Sequence, residues 1–152
     1  MINAQVKDDR RYPKHPLLGV GALIFEGSRI LMAQRGKPPL MGQWSLPGGL
    51  VETGESVECA VRREVLEETG LEVKPLGVLE IFERIMRDAG GAPEYHYVLL
   101  DYICRVTGGA LSAGDDARRV EWFERRALKD LHITEGTLVV IEKGFRNRRK
   151  YK

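Results

Sequence analysis

Three glutamates, Glu64, Glu67 and Glu68, fall within little more than one turn of a predicted helix. Side chains at positions i, i+3 and i+4 share one face of a helix, so the three carboxylates crowd together. Like charges at this spacing destabilise an isolated helix by about 0.2–0.5 kcal/mol per pair, so a compensating charge is expected. A hard divalent cation such as Mg²⁺ binds carboxylate oxygens and keeps positions open for water and phosphate. These residues therefore predict metal-assisted phosphate chemistry.

The glutamates belong to a longer motif that follows a Pro47-Gly48-Gly49 turn. Its fixed positions are Gly49, Glu55, Arg63-Glu64-Val65, Glu67-Glu68 and Gly70-Leu71. This spacing resembles the Nudix box, with every defined position of that pattern filled. The resemblance implies a pyrophosphohydrolase that cleaves a nucleoside diphosphate linked to another group, usually with Mg²⁺ or Mn²⁺. A charged, solvated helix is the alternative interpretation of the same residues, because Glu and Arg are good helix formers.

The resemblance to Nudix proteins also implies a set of metal ligands. Glu64 and Glu68 correspond to the principal ligands, and Glu67 to a third ligand or a water-mediated contact. The backbone carbonyl of Gly48, or alternatively of Gly49, is expected to join them. Glycine suits this position because no Cβ obstructs the approach of a metal or phosphate to the backbone.

The catalytic base and the substrate contacts are predicted less directly. Family members use either a box glutamate or an acid on a downstream loop, so Glu64 is the first choice and Glu67 a further catalytic residue. Asp116 is a second candidate for the base, and its neighbour Asp115 a candidate substrate contact or outer metal ligand; an ordinary Gly-Asp-Asp turn is the alternative. Arg35 ends a predicted strand, from which its side chain is expected to reach a phosphate.

The helix that carries the glutamates is expected to run from about Ser56 to Thr69. Ser56 is a suitable N-cap, and Gly70 supplies the left-handed residue that commonly ends a helix. Three valines spaced four residues apart form an apolar row beside the glutamates. The carboxylates should therefore lie at the edge of the buried face, where a metal site is partly shielded from water.

The remaining chain is rich in strand-like segments. Strands are expected at residues 19–25, 29–35, 43–46, 76–85, 95–106 and 120–123, with a last helix from a Thr134 cap to about Gly144. Many strands with a central and a terminal helix indicate an α+β fold. The family resemblance implies an α/β/α sandwich, in which a mixed β-sheet has flanking helices. Among the strand residues, His96 is expected to be packed and hydrogen-bonded rather than catalytic.

Composition places the chain among single-domain enzymes. It has 152 residues, 43% of them apolar and 30% charged, and a net charge of +2. We predict an N-terminal extension (residues 1–14), a Nudix domain (15–144) and a basic C-terminal tail (145–152) that is frayed and solvated. The small net charge gives no strong attraction to nucleic acid. With no apolar span, no export signal and only two cysteines, a cytoplasmic protein without a membrane partner is expected.

The resemblance extends to segments outside the box. His15-Pro16, Trp44-Ser45-Leu46, residues 95–98 and residues 114–117 resemble the bacterial ADP-ribose pyrophosphatase-like branch, which implies hydrolysis of ADP-ribose to AMP and ribose 5-phosphate. A first alternative is a pyrophosphatase of normal or modified nucleoside triphosphates. A second, of another class, is a non-catalytic module that senses nucleotides or binds RNA. The resemblance leaves a monomer and a homodimer equally open.

Overall fold

The computed structural model describes residues 10–152, so residues 1–9 of the predicted N-terminal extension (1–14) lie outside the described part. In chain order the main elements are β1 (Leu17–Glu26), β2 (Arg29–Arg35), β3 (Trp44–Ser45), β4 (Gly48–Leu50), α1 (Val57–Thr69), β5 (Leu71–Arg87), β6 (Pro93–Gly109), β7 (Ala117–Glu124) and α2 (Thr137–Asn147). Short 3-10 helices occupy Arg125–Asp130 and Arg148–Lys150. Within residues 10–152, no helix is long and apolar enough to cross a membrane.

Strand β1 is the centre of a mixed sheet. The strand order is β3-β2-β1-β6-β5, with β4 also paired to β1 and β7 to β2. The pairing of β1 is antiparallel with β2, where Phe25 lies opposite Ile30, and with β4, where Gly21 lies opposite Gly48. With β6 it is parallel and places Gly21 beside Asp101. Gly21 of β1 thus lies between Gly48 of β4 and Asp101 of β6, which are far apart in the chain.

The sheet separates two apolar cores, because successive residues of a strand point to opposite faces. On one face, Val20 and Ala22 of β1 pack with Val61 of α1. On the other face, Leu23 packs with Ile141 of α2. The predicted mixed sheet with flanking helices is confirmed.

The ends of α1 follow the predicted capping pattern. The Ser56 hydroxyl accepts a hydrogen bond from the backbone N–H of Cys59 at 3.2 Å. At the other end, Gly70 has a φ of 74° and donates its N–H to the carbonyl of Leu66 at 3.0 Å. Both ends are therefore fixed by short-range contacts that a sequence pattern can predict.

The start of α2 differs from the prediction. The N-cap is Gly136, with a φ of 82°, and the helix begins at Thr137. Thr134 is buried, with its hydroxyl 2.6 Å from that of Thr137. Its carbonyl accepts the N–H of Thr137 at 3.1 Å, so Thr134 forms the turn before the helix instead of capping it. The prediction of a Thr134 cap is wrong for this reason.

The basic C-terminal segment is packed on the domain, and the expectation that it frays is wrong. The Tyr151 hydroxyl donates a hydrogen bond to the carbonyl of Val78 at 3.1 Å. The Arg148 guanidinium lies 5.0 Å from the centroid of the Phe25 ring, within cation–π range. Tyr151, which lies among the basic residues, thus holds this segment against β5.

Candidate active site

The glycine turn and helix α1 meet at one end of a cleft of about 520 Å³. A Cβ added to Gly49 would lie 2.4 Å from Cδ of Glu64, so the carboxylate rests directly on the glycine backbone. The neighbouring Gly48 donates its N–H to Oε2 of Glu68 at 3.0 Å. A Cβ at Gly48 would lie 2.0 Å from the carbonyl oxygen of Val20, so this position also excludes a side chain. We call Gly48, Gly49, Glu64 and Glu68 the reactive end of the cleft.

Arg63 organises the acidic side chains around this end. Its Nε and Nη2 donate to the two oxygens of Glu55, at 2.6 and 2.9 Å. Its Nη1 donates to Oε1 of Glu64 at 2.8 Å and to Oε2 of Glu67 at 3.2 Å. A further bond of 3.0 Å reaches the carbonyl of Leu50. Bidentate pairing fixes the plane of the guanidinium, so Arg63 holds Glu64 in one orientation.

Burial raises the pKa of the two inner acids, Glu64 and Glu68. Desolvation and the nearby charge of Glu64, opposed by the hydrogen bond from the Gly48 N–H, together raise the pKa of Glu68 to about 8. Desolvation also raises the pKa of Glu64, although the hydrogen bond from Arg63 opposes this. By contrast, the same arginine lowers the pKa of Glu55 to about 2. The single hydrogen bond from Arg63 to Glu64 thus leaves the pKa of both inner acids above the ordinary value of a glutamate.

The donor set fits a divalent metal ion. Carboxylate oxygens of Glu64 and Glu68 beside a glycine backbone offer the hard ligands that Mg²⁺ and Mn²⁺ prefer. Within residues 10–152, no three acidic, histidine or cysteine side chains already converge tightly enough to enclose an ion. Glu67 is turned towards Arg63, and its side chain is 42% exposed. The two inner glutamates and the Gly48 carbonyl are thus the better ligand candidates, with Glu67 as an outer one.

The downstream loop that carries Asp115 and Asp116 borders the cleft. Asp115 and Asp116 both line the cleft, and their charges act on Glu64 and Glu68 respectively. The loop is tied to α1, since Gly114 donates its N–H to the carbonyl of Glu68 at 3.0 Å. The Asp116 carboxylate is 45% exposed and pairs with Nζ of Lys37 at 2.6 Å. The loop therefore adds acidic charge to the rim of the reactive end.

Arg35 lies at the same rim. It lines the cleft, and its Nε donates to the carbonyl of Pro39 at 2.7 Å. Desolvation lowers its pKa, while the charge of Glu68 opposes this effect. A guanidinium carries five N–H donors, so this position suits contact with a phosphate.

The other end of the cleft is built from residues that the sequence analysis did not select. We call Gly21, Phe82, Arg84, Leu99 and Asp101 the distal end; all five line the cleft. They come from β1, β5 and β6, and helix α2 supplies the opposite wall with Thr137 and Val140. One signal in the sequence marks this end: Asp101 is a lone acid in the apolar run of β6.

Glu83 and Arg84 are neighbours in β5, and their side chains point to opposite faces of the sheet. Arg84 faces the cleft, whereas the adjacent Glu83 lies on the opposite face beside His96, with a carboxylate oxygen 3.9 Å from Nε2. The Nε2 atom of His96 is buried without a hydrogen-bond partner. His96 is therefore packed away from the cleft, and the expectation that it is hydrogen-bonded is wrong at Nε2.

The mixed sheet, the glycine turn and the acidic helix together define a class of metal-dependent phosphoanhydride hydrolases. The family model for the NUDIX domain matches residues 15–141. The chain belongs to the Nudix family of hydrolases, whose members generally act with a divalent metal ion.

Relatives of known name share this domain. An ADP-ribose pyrophosphatase from Methanocaldococcus jannaschii is 41% identical over 117 residues, which cover 77% of this chain and 67% of that protein. An 8-oxo-dGDP phosphatase from Danio rerio is 32% identical over 86% of this chain, but this region is only 38% of that longer protein. An ADP-ribose pyrophosphatase structure from Streptococcus suis superposes with a TM-score of 0.69 at 27% identity, covering 89% of this chain and 93% of that one.

Proposed function

We propose that this chain is a Mg²⁺-dependent pyrophosphohydrolase that cleaves ADP-ribose to AMP and ribose 5-phosphate. The observation that carries the proposal is the contact of the largely buried Glu64 carboxylate, whose side chain is 13% exposed, with the Gly49 backbone, beside Glu68. It places two desolvated acids at one end of a cleft of about 520 Å³, a volume suited to a nucleotide. Two of the similar proteins described above are named for ADP-ribose hydrolysis.

Phosphoryl transfer depends mainly on positioning and on charge stabilisation. When bound, Mg²⁺ or Mn²⁺ supplies Lewis acidity at the phosphate oxygens and favours ionisation of water. Glu64, Glu68 and the Gly48 carbonyl are proposed to hold this ion, with Glu67 as an outer contact. Arg35 is proposed to hold a phosphate at the rim.

Glu64 is proposed to accept the proton of the attacking water. An oxygen–phosphorus bond forms to this water while the bridging oxygen–phosphorus bond breaks, and the bridging oxygen leaves on the other product. Arg63 holds one carboxylate oxygen at 2.8 Å and thereby orients the other. Asp116 remains the second candidate for this role.

A second candidate substrate is an oxidised or otherwise modified purine nucleotide. The specific support is the 8-oxo-dGDP phosphatase of Danio rerio, which matches 86% of this chain. Hydrolysis of a nucleoside diphosphate to monophosphate and phosphate, or of a triphosphate to monophosphate and pyrophosphate, would use the same reactive end. Only the contacts to the base and to the leaving group would differ.

The cellular setting is part of the proposal. Cys59 and Cys104 are both free thiols, which suits a reducing compartment such as the cytoplasm. The proposed partner is the nucleotide substrate alone, with neither nucleic acid nor membrane. Both a monomer and a homodimer are compatible with a cleft that lies within one chain.

The deciding experiment is a substrate screen with products identified by mass spectrometry. The panel contains ADP-ribose, other nucleotide sugars, NADH, dinucleoside polyphosphates and normal and oxidised dNTPs, each with and without Mg²⁺. Glu64→Gln is the inactive control, and Glu58→Gln removes an exposed charge from the same helix. AMP from ADP-ribose that requires Mg²⁺ and Glu64 supports the proposal. Turnover of triphosphates alone would mean that a triphosphate is the substrate instead of ADP-ribose. Binding without any turnover would favour a nucleotide sensor.

A further inference from the structure

Asp101 is the one buried acid at the distal end of the cleft among the described residues. It is only 4% exposed, yet it lines the cleft. A Cβ on Gly21 would lie 2.3 Å from its Oδ1, so the carboxylate occupies the space that a side chain at Gly21 would fill. The missing side chain of Gly21 thus lets an acid lie on the floor of the cleft.

The Asp101 carboxylate makes no hydrogen bond to any residue in the range 10–152. Arg84 attracts it through space, but the Arg84 guanidinium donates to the carbonyl of Glu135 at 2.8 Å and to the Thr137 hydroxyl at 3.5 Å. Desolvation raises the pKa of Asp101 to about 7. Buried acids are normally paired or hydrogen-bonded, so an acid left without a donor suggests that a ligand supplies one.

The walls around Asp101 indicate what kind of ligand group this is. Leu46, Phe82, Leu99 and Val140 all line the same cleft. Apolar walls above an acceptor suit a flat heterocycle that has N–H donors on its edge. A ribose hydroxyl is the competing donor, because Arg84 and Thr137 also line this end.

The distance between the two ends fits one nucleotide. Gly21 pairs with Gly48 on one side and with Asp101 on the other. Adjacent strands lie about 4.8 Å apart, so the backbones of Gly48 and Asp101 are separated by roughly 10 Å. A nucleotide whose phosphates lie at the reactive end would therefore place its base near the distal end.

We propose that Asp101 accepts a hydrogen bond from an N–H donor on the edge of the substrate's nucleobase and thereby selects bases that carry such a donor. The inference rests on the proposed function only in requiring a nucleotide substrate; it does not require ADP-ribose. Adenine offers its exocyclic amino group, and guanine offers a ring N–H beside an amino group.

The test is a set of dissociation constants measured by calorimetry on the full chain with Mg²⁺, at about pH 8. The ligands are AMP, purine riboside 5′-monophosphate, which lacks the amino group, 2′-deoxy-AMP and GMP. The variants are Asp101→Leu and Asp101→Asn. Glu83→Gln is the matched control, because it removes an acid from the opposite face of the neighbouring strand. Thermal unfolding shows that each variant is folded.

The wild type should bind AMP about tenfold or more tightly than purine riboside monophosphate, as expected for a hydrogen bond to a charged acceptor. Asp101→Leu should abolish this ratio, Asp101→Asn should reduce it at least about threefold, and Glu83→Gln should preserve it. If Asp101→Leu does not fold, the wild-type ratio and the Asp101→Asn variant carry the test.

Three outcomes would overturn the inference. The first is equal affinity of the wild type for AMP and its amino-free analogue, and the second is a preference that is undiminished in both Asp101→Leu and Asp101→Asn. The third is that the wild type binds 2′-deoxy-AMP more weakly than AMP but does not discriminate against the amino-free analogue. This result would assign Asp101 to the ribose. A preference for GMP that disappears in Asp101→Leu would support Asp101 and count against ADP-ribose, so the two proposals fail separately.

Discussion

The two ends of the cleft are assembled in different ways. The reactive end comes from one short stretch of chain, in which a glycine turn is followed by a capped helix. The distal end combines residues of β1, β5 and β6 with the wall of α2. At the reactive end, hydrogen bonds fix the acids, whereas the Asp101 carboxylate at the distal end accepts none from any residue between 10 and 152. This difference supports the proposal that the first end carries out the chemistry and the second recognises the substrate.

The strongest test of this division is Glu64→Gln, which keeps the shape of the side chain and removes its charge. We expect kcat to fall by about 10²–10⁴-fold with little change in substrate affinity. Steady-state kinetics on the substrate found in the screen measure both quantities. Glu58→Gln, on the exposed side of α1, should leave the rate unchanged. A near-normal rate in Glu64→Gln would remove this residue from the reaction.

A smaller loss is expected from Arg63→Ala. This change leaves Glu64 in place but removes the 2.8 Å hydrogen bond that orients it. Residues that orient metal ligands typically contribute 10–100-fold, so we expect a rate loss of roughly that size and weaker Mg²⁺ activation. The exposed neighbour Arg62 provides the matched control, as Arg62→Ala. Equal effects of the two substitutions would mean that the loss reflects helix stability alone.

At the distal end, Asp101→Asn should raise stability while it weakens recognition. The folded-state pKa of Asp101 is raised from 3.8 to about 7. Its contribution to stability is therefore full below about pH 4 and is lost as the pH rises through 7. Asn does not titrate, so the variant should exceed the wild type by at least about 1 kcal/mol at pH 8 and match it near pH 4. Urea unfolding at both pH values measures the difference, and an unchanged pH dependence would show that Asp101 is not desolvated.

The smallest effect is expected from Asp116→Asn. Its carboxylate is 45% exposed and paired with Lys37, and exposed ion pairs contribute little. We expect kcat to change by less than about threefold, because Glu64 is the proposed base. A loss of about 100-fold, measured as kcat against pH, would instead transfer the base to Asp116 and extend the reactive end to the downstream loop.

The reactive end could be predicted from the sequence because its contacts are local. The Ser56 cap, the Gly70 stop and the spacing of Glu64 and Glu68 all depend on residues a few positions apart. The distal end depends on strand register, which bulges alter. Register shifts occur in β5 between Pro75 and Gly77 and again beyond Val78. Each shift changes which side chains reach the cleft, so alternation in the sequence could not place Arg84.

The parallel pairing of β1 with β6 also has a consequence for how the protein folds. Residues such as Leu17 and Tyr97 are far apart in the chain and become neighbours only when the long loop between them closes. Closing so large a loop is slow compared with forming a helix such as α1. The helix that carries the glutamates is therefore expected to form early, whereas the cleft is completed late. A partly folded chain would carry the catalytic acids without yet being able to discriminate between nucleotides.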